Sequence, residues 1–189
     1  MLRFVPPDPA YHRSWVEAAA EFEAEGEFIH GSGLAPDDLP DAEVKGPIFR
    51  ASAMRDAETF AAYCTEMTNR QHPEAAYAIG MVPDTKLFIV DGDEFVGMLS
   101  LRHELNEFLR QEGGHIGYAV RPSRRREGIA TAALGEGLRR AADLGITDVL
   151  VTCDDDNQGS AGTIEKYDAH LDDIRTGKRR YWISSRPAQ

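Results

Sequence analysis

The sequence predicts an α/β domain, and three observations carry that prediction. Residues 115–153 run β-rich, helical and β-rich again, the pattern of a βαβ unit. Upstream, residues 85–103 read as two strands about Gly92-Asp93, a hairpin signal. The chain has 189 residues, 42% hydrophobic and 28% charged, which suits one globular core rather than a disordered or fibrous chain.

The elements follow in order. Leu2 to Val5 is a short strand, stopped by Pro6 and Pro7, which cannot donate to a ladder. Ser14 to Glu25 carries Trp15, Ala18, Ala19 and Phe22 at helical spacing, and Gly26 offers a stop. Phe28 to Phe49 is rich in Gly, Pro and Asp and reads as a long loop, a kind of segment that is often functional. Ala57 to Gln71 is a second helix with Phe60, Cys64 and Met67 on one face. Strands follow at Thr85 to Asp91 and Glu94 to His103, then a short helical connection at Asn106 to Gln111, ended by Gly113-Gly114. His115 to Val120 is a third strand, stopped by Pro122. Ile129 to Leu144 is an amphipathic helix with Leu134, Leu138 and Ala141 on its apolar face and Gly145 after its end. Ile146 to Cys153 is a β-branched strand, a helix runs from about Gln158 to Lys166, and a last strand lies at Arg180 to Ser184. No internal repeat or low-complexity tract interrupts this order.

Charge and composition narrow the function. The net charge of −11 repels a phosphate backbone, so a nucleic-acid partner is not expected. No apolar run approaches the roughly 20 residues of a membrane span, and the N-terminus lacks the apolar stretch of a signal peptide. Cys64 and Cys153 are read as reduced, structural thiols. A cytoplasmic location is the expectation, without a membrane partner and without a metal.

The junction of the 115–120 strand with the 129–144 helix carries the chemistry. A helix N-terminus offers unpaired N–H groups and a partial positive charge, which suit a phosphate. Gly128 lets the backbone come close to such a ligand, Ala130 is nearly as small, and Thr131 adds a hydroxyl. Arg124, Arg125 and Arg126 add guanidinium forks suited to phosphate oxygens. The run is neither a dinucleotide fingerprint nor a nucleotide-triphosphate loop. Spacing alone leaves two other readings: an arginine-rich surface turn before an ordinary helix, and a nucleic-acid patch that no interleaved aromatics support.

Arg125-x-x-Gly128-x-Ala130, set between a strand and an amphipathic helix, resembles the Arg/Gln-x-x-Gly-x-Gly/Ala signature of the GNAT superfamily of acetyl-CoA-dependent N-acetyltransferases. The stretches 113–131, 102–106, 152–157 and 178–183 resemble one bacterial subgroup known as predicted acetyltransferases. The resemblance covers about residues 85 to 184 and the first 80 only loosely. It implies a GNAT-like α/β fold of the α+β type: a mixed, mostly antiparallel central sheet with splayed middle strands and helices on both faces. It also implies one domain over 1–189, with acceptor-side helices and loop in 1–84 and an acetyl-CoA-binding core in 85–184.

The resemblance assigns site residues as well. Tyr118, Ala119 and Val120 would pair with the pantetheine arm through the main chain. The turn from Arg125 through Arg126, Glu127, Gly128, Ile129 and Ala130 to Thr131 would hold the pyrophosphate. Asn157 matches the position that contacts the pantetheine arm, with Ser160 three residues on; Asn157 is equally suited to cap the helix after it. His115 stands where many relatives carry a Glu and is the candidate base, with His103 and Glu104 as competitors. Ile164 replaces the Tyr that commonly serves as acid, and Tyr167, nearly one helical turn on, is the substitute candidate. Relatives often have a Gly-rich turn where this chain reads Lys166-Tyr167-Asp168-Ala169-His170. The expected activity is transfer of an acetyl group from acetyl-CoA, as co-substrate, to a primary amine by direct attack, the amine being that of a small molecule ahead of a peptide N-terminus or a lysine. The competing readings are a CoA-binding sensor without turnover and a plain interaction domain. Tyr181-Trp182-Ile183 reads as either the interface strand of a homodimer or core.

Overall fold

The computed structural model describes residues 1–43 and 46–185. Val44 and Lys45, inside the long loop expected from the sequence, lie outside the described residues, as do residues 186–189. Seven strands form one sheet: β1 (Leu2–Val5), β2 (Asp84–Asp91), β3 (Glu94–Arg102), β4 (Ile116–Val120), β5 (Asp148–Asp154), β6 (His170–Arg175) and β7 (Lys178–Ser184), in the spatial order β1-β2-β3-β4-β5-β7-β6. Every neighbouring pair is antiparallel except β4 and β5, which run parallel through the connecting helix α4 (Ile129–Asp143). The βαβ unit expected at 115–153 is this β4-α4-β5 segment.

Alternation along the strands sends apolar side chains to both faces. On one face, Phe88 and Val90 of β2, Phe95 and Met98 of β3 and Ala119 of β4 pack with helices α1 (His12–Ala24) and α2 (Ala57–Asn69), which contribute Trp15, Phe22, Phe60, Tyr63 and Met67. On the other, Leu87, Leu99, Leu101, Ile116, Val149, Val151, Tyr181 and Ile183 pack against Leu134 and Leu138 of α4 and Ile164 of α5 (Gln158–Ile164). Burying each such side chain stabilises by about 1.5–3 kcal/mol, so both helical layers are held by the alternation itself. Tyr181 and Ile183 are core, and Trp182 is half-buried.

Two elements escape the sequence reading. Helix α3 (Pro73–Ala78) is only six residues long and starts on a proline. The edge strand β6, His-Leu-Asp-Asp-Ile-Arg, is mostly polar and exposed, as an edge that resists aggregation should be. Its hairpin to β7 turns through Thr176 and Gly177, both left-handed.

The middle of the sheet is open. The parallel pair β4/β5 has one register pair, Ile116 with Val151. The closed end of the V is fixed just before that pair. Gly114 is left-handed (φ 62°), and a Cβ there would sit 2.6 Å from the Leu150 carbonyl oxygen. His115 N–H donates to Leu150 O at 2.7 Å, and its carbonyl accepts from Arg102 N–H at 2.8 Å. Beyond Ile116 the two strands part.

Candidate acetyl donor site

Arg121 N–H donates to Val96 O, so by strand alternation Ala119 and Gly117 turn their main-chain groups toward β3. Tyr118 and Val120 turn theirs the other way, toward the side that β5 has left. An extended ligand can pair with this edge as an added strand does.

The turn after β4 has unusual backbone. Residues Pro122–Arg124 make one 3-10 turn, then Arg126 (φ 70°) and Gly128 (φ 82°) are both left-handed, one residue apart. Such alternation gathers amide N–H groups into an anion-binding concavity. Gly128 is the N-cap of α4, no side chain caps that helix, and the first helical bond runs from Ala132 N–H to Gly128 O. The amides of Ile129, Ala130 and Thr131 therefore lie at an uncapped helix end. Nothing stands within 4 Å of a Cβ built on Gly128, so the space above the turn is free of protein. The strand-to-helix turn expected from the sequence is present, with an uncapped helix end and open space at Gly128.

The arginine side chains are placed differently from the expectation of phosphate forks. Arg121 binds Glu21 (2.7 Å) and Glu94 (3.1 Å). Arg124 binds Asp91 (3.2 Å), Glu127 (3.0 Å) and Glu94. Arg125 binds Glu25 (2.6 Å) and Glu27 (2.5 Å) and lies over the Phe22 ring, 5.8 Å from its centroid. In a chain with excess carboxylate these guanidiniums have partners at hand, and they fasten the turn to α1 and to the β2–β3 hairpin. Burial pushes the Glu21 carboxyl up, but the Arg121 guanidinium and the Ser123 amide outweigh it and hold the group down to about 2. Arg126 is exposed and makes no ion pair among the described residues, so it is the one guanidinium of the run left for a ligand.

The proposed proton-transfer residues are tied into the frame. His115 is buried, and its Nδ1 accepts from Leu150 N–H at 2.9 Å. A backbone amide can only donate, so Nδ1 carries no proton and the neutral ring bears its proton on Nε2. Burial, then the nearby Arg110 and Arg102 charges, push this imidazole down to about 4. Tyr167 donates its hydroxyl to the Thr131 carbonyl at 2.6 Å, and a Cβ on Gly135 of α4 would meet that hydroxyl at 2.6 Å. Asp168, next in the chain, is left-handed (φ 52°) without being glycine, a conformation aspartate tolerates better than most residues. His103 Nε2 bonds Thr85 Oγ1 (2.8 Å), and Glu104 accepts from Tyr77 (3.0 Å).

Asn157 caps α5, its Oδ1 accepting from Ser160 N–H at 2.9 Å. Ser160 Oγ in turn bonds the Tyr118 hydroxyl at 2.9 Å, joining β4 to α5 across the opening. Burial pushes the Tyr118 phenol up to about 12, so it stays protonated at neutral pH. The family resemblance implies a main-chain role for Tyr118 and no side-chain one; nothing in the spacing of 118 and 160 signals their contact.

A splayed parallel pair, an unpaired strand edge and an uncapped left-handed turn together define the architecture of an acyl-CoA-dependent transferase. The comparisons agree: the Acetyltransferase (GNAT) family profile matches residues 52–168. The chain belongs to the GNAT acetyltransferase family, whose members transfer acetyl groups from acetyl-CoA. No curated protein sequence matches it. Among solved structures, RimJ of Mycobacterium smegmatis in complex with CoA-disulfide aligns with TM-score 0.64 at 19% identity, over 97% of this chain and 80% of that one. The microcin C7 self-immunity acetyltransferase MccE in complex with acetyl-CoA and AMP gives TM-score 0.61 at 13% identity, over 97% and 92%. RimL, a ribosomal L7/L12 α-N-protein acetyltransferase in complex with CoA, gives 0.57 at 14% identity, over 97% and 93%. At these identities the likeness is one of fold. No helix among the described residues is long and apolar enough to cross a membrane.

Proposed function

We propose that this chain transfers an acetyl group from acetyl-CoA to the primary amine of a small molecule. The observation that carries the donor half is the uncapped α4 terminus behind left-handed Gly128. There the amides from Arg125 to Thr131 would hold the pyrophosphate, with the Arg126 side chain beside them. Tyr118 and Val120 would pair with the pantetheine arm. Acetyl-CoA supplies the acetyl group as a thioester, which a neutral amine attacks directly: the N–C bond forms, the C–S bond breaks, the amine proton leaves and the thiol is released. In this reading His115 holds β4 to β5 through Nδ1, and Tyr167 holds the turn after α5 to α4 through its hydroxyl. Tyr118 bonds a hydroxyl, Ser160 Oγ, which can donate as well as accept and so leave the phenol proton free, and it is our choice for the donor that meets the departing sulfur. Asn157 and Ser160 support it, Asn157 by capping the helix that carries Ser160. We place the chemistry of the donor in the 85–184 segment and that of the acceptor in 1–84.

Titration of the protein with acetyl-CoA, followed by thiol release over an amine panel, tests this reading. Gly128→Val should weaken acetyl-CoA binding more than about tenfold, because a β-branched residue resists left-handed backbone. Retained affinity in that variant overturns the pyrophosphate assignment. Tight binding with no thiol release from any amine favours the sensor reading.

A further inference from the structure

A half-buried guanidinium stands at the closed end of the V without a carboxylate. It belongs to Arg102, the last residue of β3. In a chain of net charge −11, the arginines of the neighbouring turn are held by acidic partners. Arg102 makes no ion pair among the described residues, and its Nη1 donates to the Gly113 carbonyl at 3.1 Å. Asp84, opposite it on β2, binds Lys86 and Ser100 instead. The Nε–H and Nη2–H donors of Arg102 have no partner among the described residues, and neither nitrogen is enclosed. Burial pushes the guanidinium down from its ordinary value, yet an arginine keeps its charge. A cation held partly out of water without a partner is costly, and an oxygen carrying negative charge would relieve it.

The pleat sets where these donors lie. Met98, Ser100 and Arg102 share one face of β3, the face packed by α1 and α2. A Cβ built on Gly117 of β4 would lie 3.0 Å from Arg102 Nη1 and 3.6 Å from Nη2, so the absent side chain is what lets the guanidinium rest against the strand. Gly117 is the first residue past the Ile116–Val151 pair, where β4 parts from β5. Both Gly117 and Tyr118 are partly exposed there. Tyr118 packs on the α4 face of the sheet, and Arg102 lies on the α1 face. An acyl group set against the strand edge between them has a phenol on one side and guanidinium donors on the other.

The geometry points to Arg102 as a catalytic residue whose Nε–H and Nη2–H donate to the thioester oxygen of acetyl-CoA and hold the negative charge that develops there. The assignment rests on the acetyl-transfer reading above. As the neutral amine attacks, the N–C bond forms and the carbonyl π pair moves onto oxygen, beside the guanidinium. The pair then returns, the C–S bond breaks, and the departing sulfur takes the Tyr118 proton. Water removes the surplus proton from the new amide nitrogen and returns one to Tyr118. Donors fixed where charge develops raise the rate rather than the affinity. The same positive charge disfavours an ammonium at this point, which keeps the acceptor in the form that attacks.

Two readouts, one of them without turnover, test the assignment. In the binary complex, acetyl-CoA labelled with heavy carbon at its carbonyl should show the carbonyl stretch at lower frequency in the wild type than in Arg102→Ala. In turnover, Arg102→Ala should lower kcat about 10²-fold, with acetyl-CoA affinity and acceptor KM changed less than about threefold. Millimolar guanidinium should restore part of that rate, and sodium chloride none of it. Arg102→Lys keeps the charge and the stem but loses the fork, and it carries both readouts if Arg102→Ala does not fold; it should lower kcat about tenfold. An unmoved carbonyl band overturns the assignment, as does a variant whose kcat is unchanged or whose acetyl-CoA affinity falls as far as its kcat. A band that depends on Arg102, in a protein that releases no thiol with any amine, upholds the contact and overturns acetyl transfer instead.

Discussion

The two sides of the β4 opening are built from different materials. On the α4 side the surface offered to a ligand is main chain: the free edge at Tyr118 and Val120 and the uncapped turn about Gly128. On the α1 side the long loop is fastened by side chains. Arg125 holds Glu25 and Glu27, and Arg50 holds the carbonyls of Pro36 and Leu39 and the carboxylate of Asp41. A main-chain surface constrains the few positions where a Cβ or a φ angle decides, so it leaves a short, recurring signature. A side-chain surface can be fastened by many pairings, so it leaves none. The contrast explains why a donor is easily read from this chain and an acceptor is not.

Four measurements test that contrast, the strongest first. Gly114→Ala should cost about 3 kcal/mol in urea unfolding, since it adds left-handed strain to a clash with the Leu150 carbonyl. A loss below about 1 kcal/mol would mean that the closed end of the V is not fixed by backbone fit. His115 provides a pH test. Its folded value lies below its ordinary one, so the unfolded chain binds the extra proton between the two. Its contribution is fully present above pH 6.5 and is lost as pH falls toward about 4. His115→Gln should flatten the stability profile in that window while keeping turnover at neutral pH; a collapse of turnover with unchanged stability would restore the imidazole as base.

Asn157→Ala should cost about 1 kcal/mol through the lost cap of α5, read as a lower melting temperature. The smallest effect on the donor is expected from Arg125→Ala: acetyl-CoA affinity should change less than about threefold, because this guanidinium is spent on carboxylates. Acceptor KM should rise more. A large loss of acetyl-CoA affinity would return Arg125 to the phosphate and blur the contrast between the two sides.

Most of the sheet was legible in advance because its strands are β-branched or aromatic and bounded by Gly and Pro. The β4-α4-β5 unit fell where periodicity placed it. β6 was not legible, because its polar, exposed sequence satisfies an edge and so lacks a hydrophobic period. In the candidate site, the left-handed turn at Gly128 was legible from its place between a strand and a helix. The fate of Arg121, Arg124 and Arg125 was not, since their carboxylate partners lie from 3 to 100 residues away and no spacing encodes those meetings. The Tyr118–Ser160 bond is hidden for the same reason, 42 residues apart in sequence.

Arg125 has one further consequence. Its backbone belongs to the turn that would receive the donor, and its guanidinium grips Glu25 and Glu27, where α1 gives way to the long loop. Any adjustment of the turn when a pyrophosphate settles is transmitted to Glu25 and Glu27, and any shift of the loop pulls on the turn. Linkage makes such an influence equal in both directions, so whatever factor the donor lends to the acceptor's affinity, the acceptor returns. On the proposed reading one side chain would give the two substrates a shared equilibrium, and cutting it should make their binding independent.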